Sequence, residues 1–141
     1  MISGWRFSQG WANNQKVYFV AEFSKPFESL EVLPESRYAR ANFSTKEGEQ
    51  LMLKVALSPV SVEGAKANMA AELKGWNFEA TRKAAKKQWN EELAKVKIAG
   101  GDDAQKRVFY TALYHTMIAP SEFCDVNGDY RGADGEVHTN P

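Results

Sequence analysis

Apolar and polar residues alternate with a period of two along the first part of the chain. Val17, Phe19, Ala21 and Phe23 fall on one side of this alternation, and Lys16, Tyr18, Val20 and Glu22 on the other. Successive side chains of a strand point to opposite faces, so the pattern predicts a strand in a packed sheet. Leu51, Leu53, Val55 and Leu57 repeat it more cleanly. Trp5 and Phe7 mark a shorter strand before the turn region of Gly10, Asn13 and Asn14. The segment from Arg37 to Phe43 reads as a weaker strand, followed by the polar turn Lys46-Glu47-Gly48. The residues between Pro26 and Pro34 read as a surface connection. About four antiparallel strands joined by polar turns predict part of a β-sandwich.

After Ser58-Pro59 the period changes to that of a helix. Val62, Ala65, Met69 and Leu73 fit a short helix with Ser61 as its cap and Gly75 as its stop. Asn77 then caps a longer helix whose expected buried stripe is Phe78, Ala85, Trp89, Leu93 and Val96. Lys83, Lys86, Lys87, Glu91 and Lys95 occupy its other faces as a solvated surface. Gly100-Gly101 breaks this helix. Asp102 and Gln105 have the spacing of a capping box, and Val108, Phe109, Ala112, Leu113 and Met117 form an apolar stripe behind it. Tyr110 and Tyr114 line a neighbouring stripe, which predicts a helix buried on more than one side. Ala119, preceding Pro120, is expected to end it. Strands first and helices after make the fold class α+β.

Composition changes this picture little. The chain has 141 residues, 43% hydrophobic and 26% charged, with a formal net charge of zero. That balance gives no electrostatic argument for a nucleic-acid partner. No apolar run approaches the length of a membrane span, and the start carries no signal-peptide pattern. The single cysteine, Cys124, excludes an internal disulfide framework. Met1 leads straight into strand-like sequence and Pro141 lies in a loop, so the chain reads as a fragment.

The candidate chemistry gathers in the acidic, glycine-punctuated segment after the last helix. Asp125, Asn127, Asp129 and Glu136 occupy the first, third, fifth and twelfth places of a calcium-binding EF-hand loop. Tyr130 stands where that loop needs glycine, and no amphipathic helix follows Glu136. A turn-rich loop using Asp, Asn and Gly for its backbone angles is the better reading. His115 has no second ligand at metal-binding spacing, and His138 reads as an exposed loop residue. Cys124 has no local group to activate it as a nucleophile. Trp5, Trp76 and Trp89 read as packing residues, whereas Trp11, in a turn, stays open as a residue that stacks on sugar. Glycoside hydrolysis needs two facing carboxyl groups, and spacing alone pairs neither Glu122 nor Asp125 with another.

Several phrases resemble glycoside hydrolase family 92, the calcium-dependent exo-acting α-mannosidases. They are ISGWRFSQGWA, VYFVAEFSKPF, SPVSVEGAKANM, GWNF, WNEELAKVKI, FYTALYHTMIAPSEFCDVNGDYRG and ADGEVH, in the family's order over nearly the whole chain. FYTALYH followed by AP, F, D, NG and YRG is the specific part. One departure is Cys124, where a small polar residue such as serine is expected.

The resemblance implies a β-sandwich followed by a helical (α/α)6 toroid, with the active site between them. Residues 1–60 would be the last strands of the sandwich, 61–101 a helical linker and 102–141 the start of the toroid. It also implies removal of terminal α-linked mannose, of the 1,2-linked type, from mannose-containing glycans by inverting hydrolysis assisted by Ca2+. The catalytic acid, base and metal ligands would lie beyond Pro141. Within this chain Asp125 is the expected ligand of a sugar hydroxyl, with Tyr130 and Arg131 as weaker candidates that could instead brace the loop. As a loop residue, Asp125 is expected to contribute little to stability. The family further implies export to the periplasm or the outside of the cell. The competing reading is a non-catalytic carbohydrate-binding or structural β-sandwich module.

Overall fold

The computed structural model describes residues 1–10, 13–33, 35 and 38–140. The chain is α+β and divides into two compact units, Met1–Trp76 with Phe123–Pro141, and Asn77–Glu122. These cuts differ from a division at residues 60 and 101. The first helix packs on the sheet, and the segment after residue 122 returns to the same unit.

In the larger unit, strands β1 (Ile2–Ser8), β2 (Gln15–Phe23) and β5 (Leu53–Ser58) form an antiparallel sheet in the order β1-β2-β5. Register pairs Val20 with Ala56, Tyr18 with Ser58 and Glu22 with Lys54 on one face. The helix α1 (Val62–Glu72) lies on that face. Val20, fully buried at 0% exposure, meets Ala65 and Met69, with Ala56, Val62 and Leu73 around them. Ala56 and Ser58 are short enough to let the helix backbone come close, which long side chains would prevent.

The opposite face carries Phe19, Ala21, Phe23, Leu53, Val55 and Leu57, and Leu57 is 58% exposed. The alternation in β2 and β5 is therefore as expected, but the more apolar face is the open one. On this face Phe19 lies across from Gly4, where a Cβ would come within 2.7 Å of its ring. Trp5 stacks on Phe7 with ring centroids 4.4 Å apart, on the side of the sheet shared with Tyr18.

The connection expected between Pro26 and Pro34 contains a strand, β3 (Ser29–Leu33), paired with β4 (Tyr38–Asn42). Its Ser-Leu-Glu-Val-Leu alternation is short and largely exposed, so burial does not mark it in the sequence. Arg37, assigned to the second of these strands from sequence, lies outside the described residues. Phe23, Phe27 and Phe43 cluster with centroids 5.0–6.5 Å apart and tie this hairpin to β2.

The smaller unit is a helical hairpin of α2 (Phe78–Leu93) and α3 (Asp103–Thr116). Asn77 Oδ1 accepts from the Ala80 N–H at 3.0 Å, and Asp102 and Gln105 complete the expected capping box at 2.8 and 3.0 Å. Trp89 packs edge-on against Tyr114 at 4.5 Å, and the Tyr110 hydroxyl donates to the Val96 carbonyl at 3.1 Å. No residue of either helix is buried, and Val108 is 69% exposed. Neither expected apolar stripe is thus buried by the α2–α3 pairing, which hides only part of each helix. Helix α3 ends at Thr116, three residues before Ala119. The Thr116 hydroxyl donates to the Leu113 carbonyl there, and the Met117 N–H turns to the Tyr114 carbonyl.

The two sheet faces predict opposite mutational behaviour. Val20→Ala should cost about 1.5–3 kcal/mol, because it empties space under α1. Leu57→Thr, on the open face, should stay within about 0.5 kcal/mol. Denaturant unfolding of the chain checks both. An equal cost at Leu57 would mean that another molecule covers the outer face in solution.

Candidate functional site

The acidic segment is built onto the junction between β5 and α1. Ser58, the last residue of β5, donates from Oγ to Asp125 Oδ2 at 2.7 Å. Ser58 Oγ itself accepts from the Val60 and Ser61 N–H groups at 2.9 and 3.1 Å, turning the chain toward the helix. Ser61 caps α1 by accepting from the Gly64 N–H at 2.9 Å. One helical turn further, Asn68 Nδ2 donates to Asp125 Oδ1 and to the Leu57 carbonyl, both at 2.8 Å. Its Oδ1 accepts from the Val126 N–H at 2.9 Å.

Asp125 is only 3% exposed, and Ser58 and Asn68 are buried with it. A carboxylate removed from water needs its lone pairs satisfied. Ser58 and Asn68 each supply a donor, and among the described residues no buried side-chain nitrogen or oxygen lacks a partner. Each carboxylate oxygen takes one of these bonds, and it is the burial of the residue that leaves a sugar hydroxyl little surface to reach. The expectation that Asp125 contributes little to stability is corrected by its burial. A loop position implies exposure only where the loop does not fold back on its neighbours.

From Asp125 the chain turns back on itself. The Asp125 N–H donates to the Asp129 carbonyl at 2.7 Å, and the Gly128 N–H to the Asp125 carbonyl at 2.8 Å. Gly128 has φ +88°, and a Cβ there would stand 2.7 Å from the Asn140 carbonyl oxygen, so the turn requires glycine. Strands β6 (Asp129–Arg131) and β7 (Val137–Thr139) then pair as a hairpin. The Arg131 guanidinium fastens it, donating to the carbonyls of Pro59 and Val60 at 3.1 Å each and of Gly135 at 2.7 Å. Of its two expected roles, bracing is the one its described hydrogen bonds serve.

Tyr130 is half-buried, its ring 5.6 Å from that of His138 on the facing strand. Its hydroxyl has no hydrogen-bond partner among the described residues. His138 is exposed as expected, but it stands on β7 and not in a loop, with Nε2 2.9 Å from Asp134. His115 lies on α3 beside Tyr114, and Cys124 is exposed. Trp89 packs on Tyr114, Trp76 lies 4.1 Å beneath the Lys54 ammonium, and Trp5 stacks on Phe7. Trp11 lies outside the described residues.

The positions counted as calcium ligands serve the hairpin. Asp125 is engaged by Ser58 and Asn68, and Asp129 by Asn127 at 2.8 Å and Thr139 at 2.6 Å. Glu136 lies in the turn between β6 and β7. Among the described residues no three His, Cys, Asp or Glu side chains could share a metal ion. These donors do not fit calcium.

Sequence reasoning missed Ser58, Gly64 and Asn68. The signal was Asn68, a polar residue on the stripe between Ala65 and Met69. A Cβ on Gly64 would lie 2.2 Å from Asp125 Oδ2 and 2.7 Å from Ser58 Oγ.

Two measurements follow from this geometry. Replacing a helical glycine by alanine ordinarily gains up to about 1 kcal/mol. Here the buried clash should reverse the sign, so Gly64→Ala should lower stability by about 1–3 kcal/mol in thermal unfolding. An unchanged or raised melting point would contradict so close an approach. The Asp134 carboxyl is held below the ordinary aspartate range, first by the Glu136 N–H and then by His138. A depressed carboxyl stabilises the hairpin above the ordinary range and loses that contribution as pH falls through its lowered value. Carboxyl NMR titration should show the depression, reduced but not abolished in His138→Ala.

Three relatives put this geometry in context. A family 92 α-mannosidase of Bacteroides thetaiotaomicron is 32% identical and superimposes with a TM-score of 0.86, over 99% of this chain and 21% of that one. That enzyme has also been solved in complex with mannoimidazole. A family 92 inverting mannosidase of the same organism is 30% identical with a TM-score of 0.82, over 97% of this chain and 21% of its own. An uncharacterized secreted glycosidase of Arthroderma benhamiae is 29% identical over 94 residues, 64% of this chain and 12% of its own length. The chain thus spans about a fifth or less of these relatives. Residues 64–141, from the glycine beneath Asp125 to the end of the hairpin, match the glycosyl hydrolase family 92 catalytic domain. The chain belongs to glycosyl hydrolase family 92.

Proposed function

We propose that this chain is part of an exo-acting α-mannosidase that removes terminal α-1,2-linked mannose from glycans with inversion. The observation that carries the reading is the likeness to α-mannosidases over nearly the whole chain, at an identity high enough to reflect kinship as well as shape. In the longer protein, residues 1–60 would finish a β-sandwich, 61–101 connect it, and 102–141 begin the helical toroid. In that division α1 counts as connection although it packs on the sheet. The general acid, a glutamate, and the general base, an aspartate, would be supplied by the remaining four-fifths of the protein. So would the ligands of a calcium ion, since the donors present here do not fit one. The secreted relative supports export, and no helix among the described residues is long and apolar enough to cross a membrane.

This chain's own contribution is the 125–139 hairpin. The Tyr130 hydroxyl has no hydrogen-bond partner among the described residues, and Tyr130 is the side chain we assign to the sugar. A neutral hydrogen bond contributes about 0.5–1.5 kcal/mol. Tyr130→Phe in a full-length protein should therefore lower kcat/KM for an α-mannoside by about 2–10-fold without changing the melting point. Mannose released from α-1,2-mannobiose, with its anomeric configuration read by NMR and its release stopped by a chelator, tests the activity. Absence of release from any α-mannoside would favour a non-catalytic carbohydrate-binding module instead.

A further inference from the structure

We propose that Asp125, Asn68 and Ser58 are positioning residues, which set the hairpin that meets the sugar while touching no sugar themselves. This rests on the reading of the chain as part of an α-mannosidase. A ligand of a hydroxyl group needs an oxygen that the hydroxyl can reach. Asp125 offers little: the residue is 3% exposed, and each carboxylate oxygen already takes a hydrogen bond from a buried neighbour. Asp125 Oδ2 sits where a side chain at position 64 would stand, so the glycine leaves the space that the carboxylate fills against α1.

What the carboxylate does control is the backbone. Asn68 grips both the Asp125 side chain and the Val126 N–H, fixing the first residues of the turn against α1. Ser58 ties the same carboxylate to the end of β5. Arg131 makes a second attachment, to the carbonyls of Pro59 and Val60 just beyond Ser58. The hairpin is held at two points, both on the β5–α1 junction, and Tyr130 lies next to the second. A bond lost at the first point would leave the hairpin hinged on Arg131, which would move Tyr130 without unfolding the sheet.

The test uses a full-length protein carrying this chain, with Asp125→Ala, Asp125→Asn, Asn68→Ala and the double alanine variant. Asp125→Asn keeps an acceptor for Asn68 and the shape of the side chain but sets an NH2 against the Ser58 hydroxyl, so its loss of kcat/KM should be smaller than that of Asp125→Ala. Asn68→Ala and Asp125→Ala should each raise KM for an α-mannoside about tenfold, measured well below their melting points. The double variant should be no worse than the weaker single one, because both disrupt one unit. Hydrogen exchange at the Asp125 and Gly128 amides should quicken in both single alanine variants.

Partial unfolding alone would lower apparent kcat and leave KM unchanged, and that result would overturn the positioning role. Asp125→Asn as damaging as Asp125→Ala, beside a fully active Asn68→Ala, would make Asp125 a direct sugar ligand and overturn it equally. If the parent protein cleaves no α-mannoside, the mannosidase reading fails and the sugar-positioning role fails with it. Exchange then separates the two failures: quickened amides keep the hairpin anchor, and unchanged amides refute the anchor as well.

Discussion

A buried carboxylate must be paid for in hydrogen bonds, and that constraint organises the larger unit of this chain. Asp125 obtains its bonds from two elements close in sequence to each other and far from it, the end of β5 and the second turn of α1. Losing one donor would leave a charge-bearing group unsatisfied away from water, which costs more than an ordinary hydrogen bond contributes. Glycine at position 64 follows from the same constraint, because any side chain there would occupy the carboxylate's place. The phrase SPVSVEGAKANM therefore acquires a physical meaning. It supplies a donor, a helix cap, a gap and a second donor, all directed at a residue more than fifty positions downstream.

The sheet shows why the most hydrophobic face is not always the one buried within a given stretch of chain. Helix α1 settles on the face with Ala56 and Ser58, because close approach of a helix backbone requires short side chains. On the other face Leu53, Val55 and Leu57 stay exposed. Exposed stripes on α2 and α3 have the same character. Family 92 relatives are about five times longer, which is consistent with apolar surfaces completed elsewhere in such proteins.

The hairpin and the sheet share one anchor region, and this bears on function through rigidity. Hydrogen bonds to backbone carbonyls, as made by Arg131, fix orientation without occupying a ligand. Tyr130 thereby sits on a strand held beside both attachments, and a fixed strand loses less to ordering than a freely moving loop.

Much of this was legible in the residues themselves. The period-two pattern located β2 and β5, and the caps at Ser61, Asn77 and Asp102 act where the sequence put them, because capping is decided within three or four residues. The phrase following FYTALYH carried the family. Local pattern missed β3, whose alternation is too short to stand out, and extended α3 three residues too far. Only the tertiary structure decided which sheet face is covered, that the stripes of α2 and α3 stay open, and that Asp125 is buried. Burial is a property of what comes near in space. Asp125 meets its partners across separations of 57 and 67 residues, a distance over which no periodicity carries information.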